Sequence, residues 1–357
     1  MINLNNFIKT FFQLVQIDSI TGEELNLSNY LKTQIAKLGY SAQQDKRGNL
    51  VVQVKGQGKP LLLAAHLDTV EPGRGIVPVL KNGVIRSKGQ TILGADNKIT
   101  VAAYLELFKV LKQNKNHRSL EFLFSVSEEA GISGIDTLDL SWIKATQGLC
   151  LDASFPVGTI ILSSPSYLRI ELEFIGRQAD TSKSTHGQDV LKSLSYFLAH
   201  LKQGQINPDC SCNFGLLQAG QAINSVMSQA KIFGEIRAFN RQALKAQKAK
   251  IKKLLLTAGK IGDSQIKYWD CLENTGYQFR PNHSLVKEVQ TQFQGIAPVK
   301  FIERYRGVSD ANNLNRRGIK TLNLGYGVKN SHTTKEQVTE KTIEKLVNFL
   351  VNLISSQ

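Results

Sequence analysis

The sequence predicts an α/β protein made of two domains, and three observations support this. The chain has 357 residues, which is more than one hydrophobic core usually accommodates. Apolar runs typical of buried strands alternate with helical patterns in its first half. The pattern changes after Ser163-Ser164-Pro165-Ser166, a turn-rich stretch of the kind that separates domains.

The larger predicted domain contains a mixed sheet flanked by helices. Its first helix is expected over residues 5–16, where apolar side chains recur at helical spacing. A second helix is expected over residues 98–111 for the same reason. Continuous apolar runs predict three buried strands. These strands cover residues 49–54, 60–65 and 120–126.

Residues 165–274 are predicted to form an inserted α+β domain, and residues 1–164 with 275–357 form the larger one. Strand-like and helical patterns follow one another in the insert, over residues 167–175, 190–201, 230–239, 242–256 and 265–271. This is close to the ferredoxin-like β-α-β-β-α-β order. One strand of that order has no clear counterpart in the sequence.

Composition indicates a globular chain without a membrane span. Hydrophobic residues make up 41% and charged residues 20% of the sequence, and no apolar run approaches the roughly 18 residues that a span requires. The amino-terminal segment lacks a cleavage site of small residues, so we expect a cytoplasmic location. Four scattered cysteines do not form a disulfide framework and are expected to be free thiols: Cys150, Cys210, Cys212 and Cys271.

The formal net charge of +15 raises the question of nucleic acid as a partner. Part of this charge lies on the helix predicted over residues 242–256. No nucleic-acid-binding motif accompanies it, so nucleic acid is not predicted as a partner and the basic face is interpreted as solvated. Binding of a polyanion by this face is the alternative.

Five potential metal ligands lie far apart in the chain, each inside its own short motif: His66 in His66-Leu67-Asp68-Thr69, Asp96 in Gly94-Ala95-Asp96-Asn97-Lys98, Glu129 in Glu128-Glu129, Asp152 in Leu151-Asp152-Ala153-Ser154, and His332 in His332-Thr333-Thr334-Lys335-Glu336. Zinc binds imidazole nitrogen and carboxylate oxygen, and a catalytic zinc keeps one position open for water. Two of the motifs directly follow predicted strands, where α/β proteins usually carry ligands. The set therefore has the ligand chemistry of a two-zinc hydrolase.

The order and flanks of these motifs resemble the M20 family of co-catalytic metallopeptidases, and within it the peptidase T-like members. The resemblance extends from Ile17-Asp18-Ser19-Ile20-Thr21-Gly22-Glu23-Glu24 to His332-Thr333-Thr334. It implies a catalytic domain of the zinc-peptidase type. It also implies that residues 165–274 form a lid or dimerisation domain.

The resemblance implies a role for each of the five ligands. Asp96 would bridge two metal ions, His66 and Asp152 would complete one site, and Glu129 and His332 would complete the other. The expected cofactors are two Zn²⁺ ions, with Mn²⁺ or Co²⁺ as alternatives.

Two further residues receive catalytic roles. Glu128 is expected to be the general base, which takes a proton from water and delivers it to the leaving amine. Asp68 is expected to accept a hydrogen bond from the imidazole of His66 and fix its tautomer. Three other histidines lie outside the motifs and are expected at the surface: His117, His200 and His283.

Substrate contacts are expected from Asn224, Arg237 and Arg306, which resemble polar positions of the family. Either arginine could clamp a peptide carboxylate in a bidentate pair, and a structural salt bridge is the alternative for both. Val308 stands where glycine is usual in the loop that follows Arg306.

The inserted domain departs from the family at one important position. M20 members usually carry Gly-x-x-Ala-His after the first strand of the lid, and this histidine stabilises the oxyanion. Here Asp180 occupies the position of the histidine, and an ionised carboxylate would repel an oxyanion. His186 is the nearby imidazole that could take over this role.

The sequence therefore predicts a metal-dependent hydrolase that cleaves an amide bond of a small peptide or an acylated amino acid. An aminopeptidase that acts on short peptides is the first choice, with a homodimer formed through the lid domain. The alternative is a catalytically weakened M20-like protein that binds metal and serves as a binding or scaffold module.

Overall fold

The computed structural model describes residues 2–114, 116–131 and 134–355. The chain divides into two compact units. The first comprises the described residues up to Ser163 and from Gln278 onwards, and the second is Ser164–Tyr277. Two further short strands, β9 (Ser163–Ser164) and β15 (Tyr277–Gln278), pair with each other.

The first unit contains a mixed sheet of eight described strands in the order β1-β2-β6-β3-β7-β17-β8-β16. The predicted α/β class is therefore confirmed. The strands are β1 (Ala42–Gln44), β2 (Leu50–Val54), β3 (Gln57–His66), β6 (Arg118–Ser125), β7 (Gln147–Ala153), β8 (Thr159–Ile161), β16 (Lys300–Ile302) and β17 (Lys320–Gly325). A smaller antiparallel sheet has the order β18-β5-β4. Its strands are β4 (Pro78–Lys81), β5 (Val84–Ser87) and β18 (Gln337–Thr339).

Four neighbouring strands of the large sheet, β6, β3, β7 and β17, are parallel. Their interior positions are mostly buried, as in β3, where residues 61–66 are all buried. Continuous burial is typical of parallel strands covered on both faces. The carboxyl ends of these four strands meet at one edge of the sheet, which is the usual place for a site in α/β proteins.

Helices cover the sheet of the first unit: α1 (Leu4–Val15), α2 (Leu25–Lys37), α3 (Ala95–Gln113), α6 (Ser284–Gln292), α7 (Asp310–Arg316) and α8 (Glu340–Ser355). Helix α1 begins where the Asn3 side chain accepts a hydrogen bond from the backbone of Asn6, and it buries Phe7 and Phe11. Among the described residues, no helix is both long enough and apolar enough to cross a membrane.

Helix α3 packs on the sheet through aromatic side chains. Tyr104 lies edge-on to Phe122 with a centroid distance of 5.3 Å, and Phe108 lies 4.5 Å from the same ring. Such pairs contribute about 0.5–1.5 kcal/mol each beyond the area that they bury. This packing fixes the helix that begins at the Asp96 motif.

The second unit has the ferredoxin-like order predicted for it, with one strand added. The strands of its antiparallel sheet have the order β11-β12-β13-β10-β14. The two α-helices of the unit are α4 and α5. The elements are β10 (Ser166–Ile175), α4 (Leu191–His200), β11 (Gly204–Asn207), β12 (Cys210–Ala219), β13 (Gln229–Ala238), α5 (Arg241–Gly262) and β14 (Gln265–Asn274). Strands β11 and β12 were not recognised in the sequence; in β12, six of the ten residues are exposed and there is no continuous apolar run.

Candidate active site

The predicted ligands gather at the carboxyl edge of the four parallel strands. His66 ends β3 and Asp152 lies in β7. The register pairs Ala64 with Cys150, and each of these residues lies two positions before its ligand, so both side chains reach the same place. Glu129 follows β6, and His332 lies in the loop after β17.

Asp96 lies between the two histidines and contacts one with each oxygen. Its Oδ1 is 3.3 Å from Nε2 of His66, and its Oδ2 is 3.1 Å from Nε2 of His332. Asp152 Oδ1 lies 3.4 Å from His66 Nε2. Glu129 Oε1 lies 2.8 Å from His332 Nε2. The five side chains thus form two adjoining groups of three that share Asp96.

Asp96 is available because helix α3 begins irregularly. Gly94 precedes the helix with φ +67°, a left-handed conformation that favours glycine. Asp96 itself is non-helical, with φ −82° and ψ 105°. The side chain therefore leaves the helix axis and points between the histidines.

The donor set is rich in buried negative charge. Burial disfavours the charged form of His66, but Asp152, Asp68 and Asp96 outweigh burial and raise the pKa of His66 well above its ordinary value. Burial also raises the pKa of Asp152 to about 7. The same carboxylates that retain a proton on His66 would favour a divalent cation there. Imidazole nitrogens with carboxylate oxygens fit zinc, manganese or cobalt.

Groups of these side chains lie close enough to hold a metal ion. One ligand atom each of His66, Asp96 and Glu129 lies within 4.8 Å of the others, and the same holds for His66, Glu128 and Asp152. Glu128 thus lies beside the ligands. Burial, followed by repulsion from Asp152, raises its pKa well above the ordinary value.

Asp68 contacts the imidazole of His66 through its backbone oxygen and, at a longer distance, through its carboxylate. The Nδ1 atom of His66 lies 3.0 Å from the backbone oxygen of Asp68 and 3.4 Å from its carboxylate. A carbonyl oxygen only accepts, so Nδ1 donates to it, and the neutral form of the imidazole would offer the lone pair of Nε2 to a metal. The Asp68 carboxylate accepts hydrogen bonds from the backbones of Glu128 and Glu129, both at 3.0 Å, and from Thr21.

The model of the peptidase family M20/M25/M40 matches residues 62–356 of the chain. This chain belongs to the M20 peptidase family. The resemblance inferred from the ordered motifs is therefore confirmed.

Relatives of this M20 peptidase are similar to it in sequence and structure over nearly its full length. An uncharacterized protein, YqjE of Bacillus subtilis strain 168, is 30% identical and covers 99% of both chains. The solved structure of a tripeptidase from Staphylococcus aureus is 30% identical with a TM-score of 0.92, covering 99% of this chain and 98% of the other. That of aminopeptidase PepT from Bacillus cereus is 29% identical with a TM-score of 0.88, with the same coverage.

Three buried residues support the site of this M20 peptidase without having been assigned a role from the sequence. The carboxylate of Glu336 accepts three backbone hydrogen bonds in the Asp96 motif. Glu24 binds the backbone and hydroxyl of Ser127, which has φ +53°. Lys98 donates to the Ile17 backbone, and burial lowers its pKa to about 7. Glu24, Lys98 and Glu336 each belong to a recognised motif, but only tertiary contacts reveal what they bind.

The structure places the predicted substrate contacts in both units. In the first unit, Arg306 is half-buried. In the second, Asn224 is exposed, and its backbone oxygen accepts from Thr181. Arg237 is paired with Glu235 through two nitrogens, at 2.8 and 3.2 Å. The salt bridge considered for Arg237 is thus present.

The second unit carries Asp180 and His186 on one exposed segment. Asp180 Oδ1 accepts hydrogen bonds from the backbone and hydroxyl of Ser182, at 2.8 and 2.7 Å. It therefore caps the 3₁₀ turn Thr181–His186. The hydrogen bonds with Ser182 hold the pKa of Asp180 below its usual value, so the group is an anion at neutral pH. The side chain of His186 is exposed.

One expectation about the histidines was wrong. His117 is 6% exposed rather than a surface residue. It lies immediately before β6, and its Nδ1 donates to the backbone oxygen of Arg118. The surrounding polar sequence gave no sign of this burial. His200 is exposed as expected, and the side chain of half-buried His283 caps helix α6.

Proposed function

We propose that this chain is a dinuclear metallo-aminopeptidase that removes residues from short peptides. The observation that carries the proposal is the position of Asp96, whose two oxygens face different histidines. One ion would be held by His66, Asp152 and Asp96, and the other by His332, Glu129 and Asp96. Zinc suits these ligands best, and manganese or cobalt are the alternatives.

Glu128 would act as the general base of this reaction. Bound divalent ions would supply Lewis acidity toward the peptide carbonyl and make water more acidic. Glu128 would take the proton of the attacking water and transfer it to the leaving amine. Hydrogen bonds from the backbone N–H groups of Glu128 and Glu129 to the Asp68 carboxylate fix the backbone from which both glutamate side chains extend. The adjacent residues can then serve separately as base and ligand.

Short peptides are favoured as substrates by the relatives. The solved tripeptidase and aminopeptidase are similar along almost all of this chain, and Peptidase T from Enterococcus faecalis is 24% identical over 77% of it, covering 69% of that relative. An acylated amino acid is the alternative substrate. Arg306, in the same unit as the ligands, is our candidate for a clamp on the substrate carboxylate, with Asn224 and Arg237 as candidates in the second unit.

Metal analysis of the purified protein, joined to a panel of di- and tripeptides, tests the proposal. We expect two ions per chain and cleavage of peptides with a free amino terminus, with the same peptides acetylated as the control. Chelation should abolish cleavage, and zinc should restore it. Preference for the acetylated peptides would contradict an aminopeptidase. Full metal occupancy without any cleavage would favour the binding or scaffold alternative.

A substitution in the second unit tests the role of the lid. We propose that His186 supplies the oxyanion donor that Asp180 cannot supply. His186→Ala should then lower kcat about 10²-fold, as loss of an oxyanion donor does, while metal content stays unchanged. His200→Ala is the matched control, because that histidine is exposed in the same unit. Steady-state kinetics on the best tripeptide measure the effect.

The reverse substitution separates the remaining outcomes. If His186→Ala is silent and Asp180→His raises kcat, the lid of this chain contributes no imidazole and the scaffold alternative gains support. If both variants match the parent, the correspondence between this segment and the family's lid histidine is wrong.

We also propose a homodimer formed through the second unit. Strand β14 is an edge of its sheet, and Trp269 and Leu272 on this strand are 46% and 43% exposed. Exposed apolar side chains on an unpaired edge favour pairing with another chain. Sedimentation should give the mass of a dimer, and Trp269→Lys should shift it toward the monomer. A parent protein that sediments as a monomer would contradict this.

A further inference from the structure

A buried carboxylate organises the loop that presents Asp96. Glu336 is 1% exposed, and its Oε2 accepts the backbone N–H groups of Leu93 and Gly94, each at 2.8 Å. Its Oε1 accepts the N–H of Asp96 at 2.9 Å. Burial raises the pKa of this carboxyl group to about 7, and the three backbone N–H groups favour its ionised form. Glu336 therefore links three amides of one short segment.

This link matters because ordinary helix geometry does not hold Asp96. Gly94 has a left-handed and Asp96 a non-helical backbone conformation. Regular helix geometry therefore does not fix the backbone position from which the Asp96 side chain extends. The N–H groups in the first turn of a helix lack partners within the helix, and Glu336 is the partner of the Asp96 N–H and of the two N–H groups just before the helix. The Asp96 carboxylate, which contacts both histidines, depends on this anchoring.

We propose that Glu336 is a positioning residue that places the carboxylate of Asp96 between the two metal positions before metal binds. The inference rests on the proposed function, because it assumes that Asp96 bridges two ions. Glu336 itself touches neither substrate nor metal in this view. Its loss should weaken metal binding rather than remove a reacting group.

Glu336→Gln is the variant that tests this role. Glutamine has only one acceptor oxygen. Its NH₂ group, which is a donor, replaces the other carboxylate oxygen, which accepts hydrogen bonds from backbone N–H groups in the parent protein. At least one of the three backbone hydrogen bonds is lost, and the loop can move. Loss of a residue that orients a ligand typically weakens metal affinity about 10- to 100-fold, which is the effect that we expect for zinc.

The chain offers a closely matched control in Glu121. This carboxylate is 2% exposed and also accepts backbone hydrogen bonds, from Lys144 at 3.0 and 2.9 Å and from Ala145 at 2.9 Å. It lies in the same unit, within β6, and binds no segment that carries a predicted ligand. Glu121→Gln therefore makes the same chemical change with a structural consequence only.

The experiment is a zinc titration of the metal-free parent, Glu336→Gln and Glu121→Gln, using competition with a chromophoric chelator. Thermal unfolding of the same metal-free samples reports stability. Both variants should lower Tm, but only Glu336→Gln should weaken zinc binding about 10- to 100-fold. Equal zinc affinities for the two variants would overturn the inference.

A second variant covers the case in which Glu336→Gln does not fold. Glu336→Asp keeps a carboxyl group with both oxygens but withdraws it by one methylene, so zinc affinity should still fall below that of Glu121→Gln. Unchanged affinity in Glu336→Asp would overturn the inference in that case. A parent protein that binds no zinc, manganese or cobalt would overturn the proposed function itself. The parent titration therefore distinguishes the two failures.

Discussion

Replacing Glu128 with glutamine should reduce peptide hydrolysis about 10²- to 10⁴-fold while leaving two metal ions bound. The amide keeps the shape of the side chain but cannot accept the proton of the attacking water. Because Asp68 binds the backbone of Glu128 rather than its side chain, the turn should persist in the variant. Kinetics and metal content, measured on the same preparation, check both parts of the expectation.

Glu129→Gln is the informative partner of this variant. Glu129 contacts His332 at 2.8 Å, so its substitution should lower metal content as well as activity. The carboxylate of Glu128 also lies close to His66 and Asp152, so it could itself be a metal ligand, and the pair of variants tests this opposite assignment. If Glu128→Gln loses metal while Glu129→Gln retains it, the roles of base and ligand are exchanged.

Asp96→Ala should abolish both metal sites together. Asp96 is the one member shared by the His66 and His332 groups, so each ion loses a ligand. The loss of affinity should exceed the roughly 10- to 100-fold that follows removal of an outer residue. Elemental analysis after dialysis should find close to no metal, and peptide cleavage should be undetectable.

His332→Ala provides the comparison for the bridging role. This variant removes a ligand from one group only, so about one tightly bound ion per chain should remain. Asp139→Ala, which removes an exposed cap from a 3₁₀ turn, should retain both ions. Two ions retained in Asp96→Ala, or none in His332→Ala, would contradict a bridging Asp96.

Sequence motifs were sufficient to name the candidate ligands because metal chemistry restricts the residue types. Imidazole and carboxylate groups in five ordered motifs gave the same five residues that lie together at the edge of the sheet. Two of the strands leading to them were readable as long apolar runs. Their parallel pairing then explains why ligands so distant in the chain meet.

The supporting residues were not predictable in the same way. Glu336 and Glu24 are acidic residues in polar sequence, and such residues are normally exposed. These carboxylates are buried because they accept hydrogen bonds from backbone N–H groups, and the donors belong to segments far away in the chain. The burial of His117 was not predictable either, since a single buried position just before a strand leaves no periodic signal.

The sequence by itself determined the fold class, the family and the identity of the candidate ligands, because strand patterns and metal chemistry are local properties of residues. Only the tertiary structure decided that Asp96 faces both histidines, that Asp68 holds the backbone of the Glu128–Glu129 turn, and that Glu336 anchors the Asp96 loop. The donors of these hydrogen bonds are backbone N–H groups, which nearly every residue type has, so the sequence does not mark which residues donate. Which carboxylate receives them is fixed only when the sheet brings distant segments within about 3 Å.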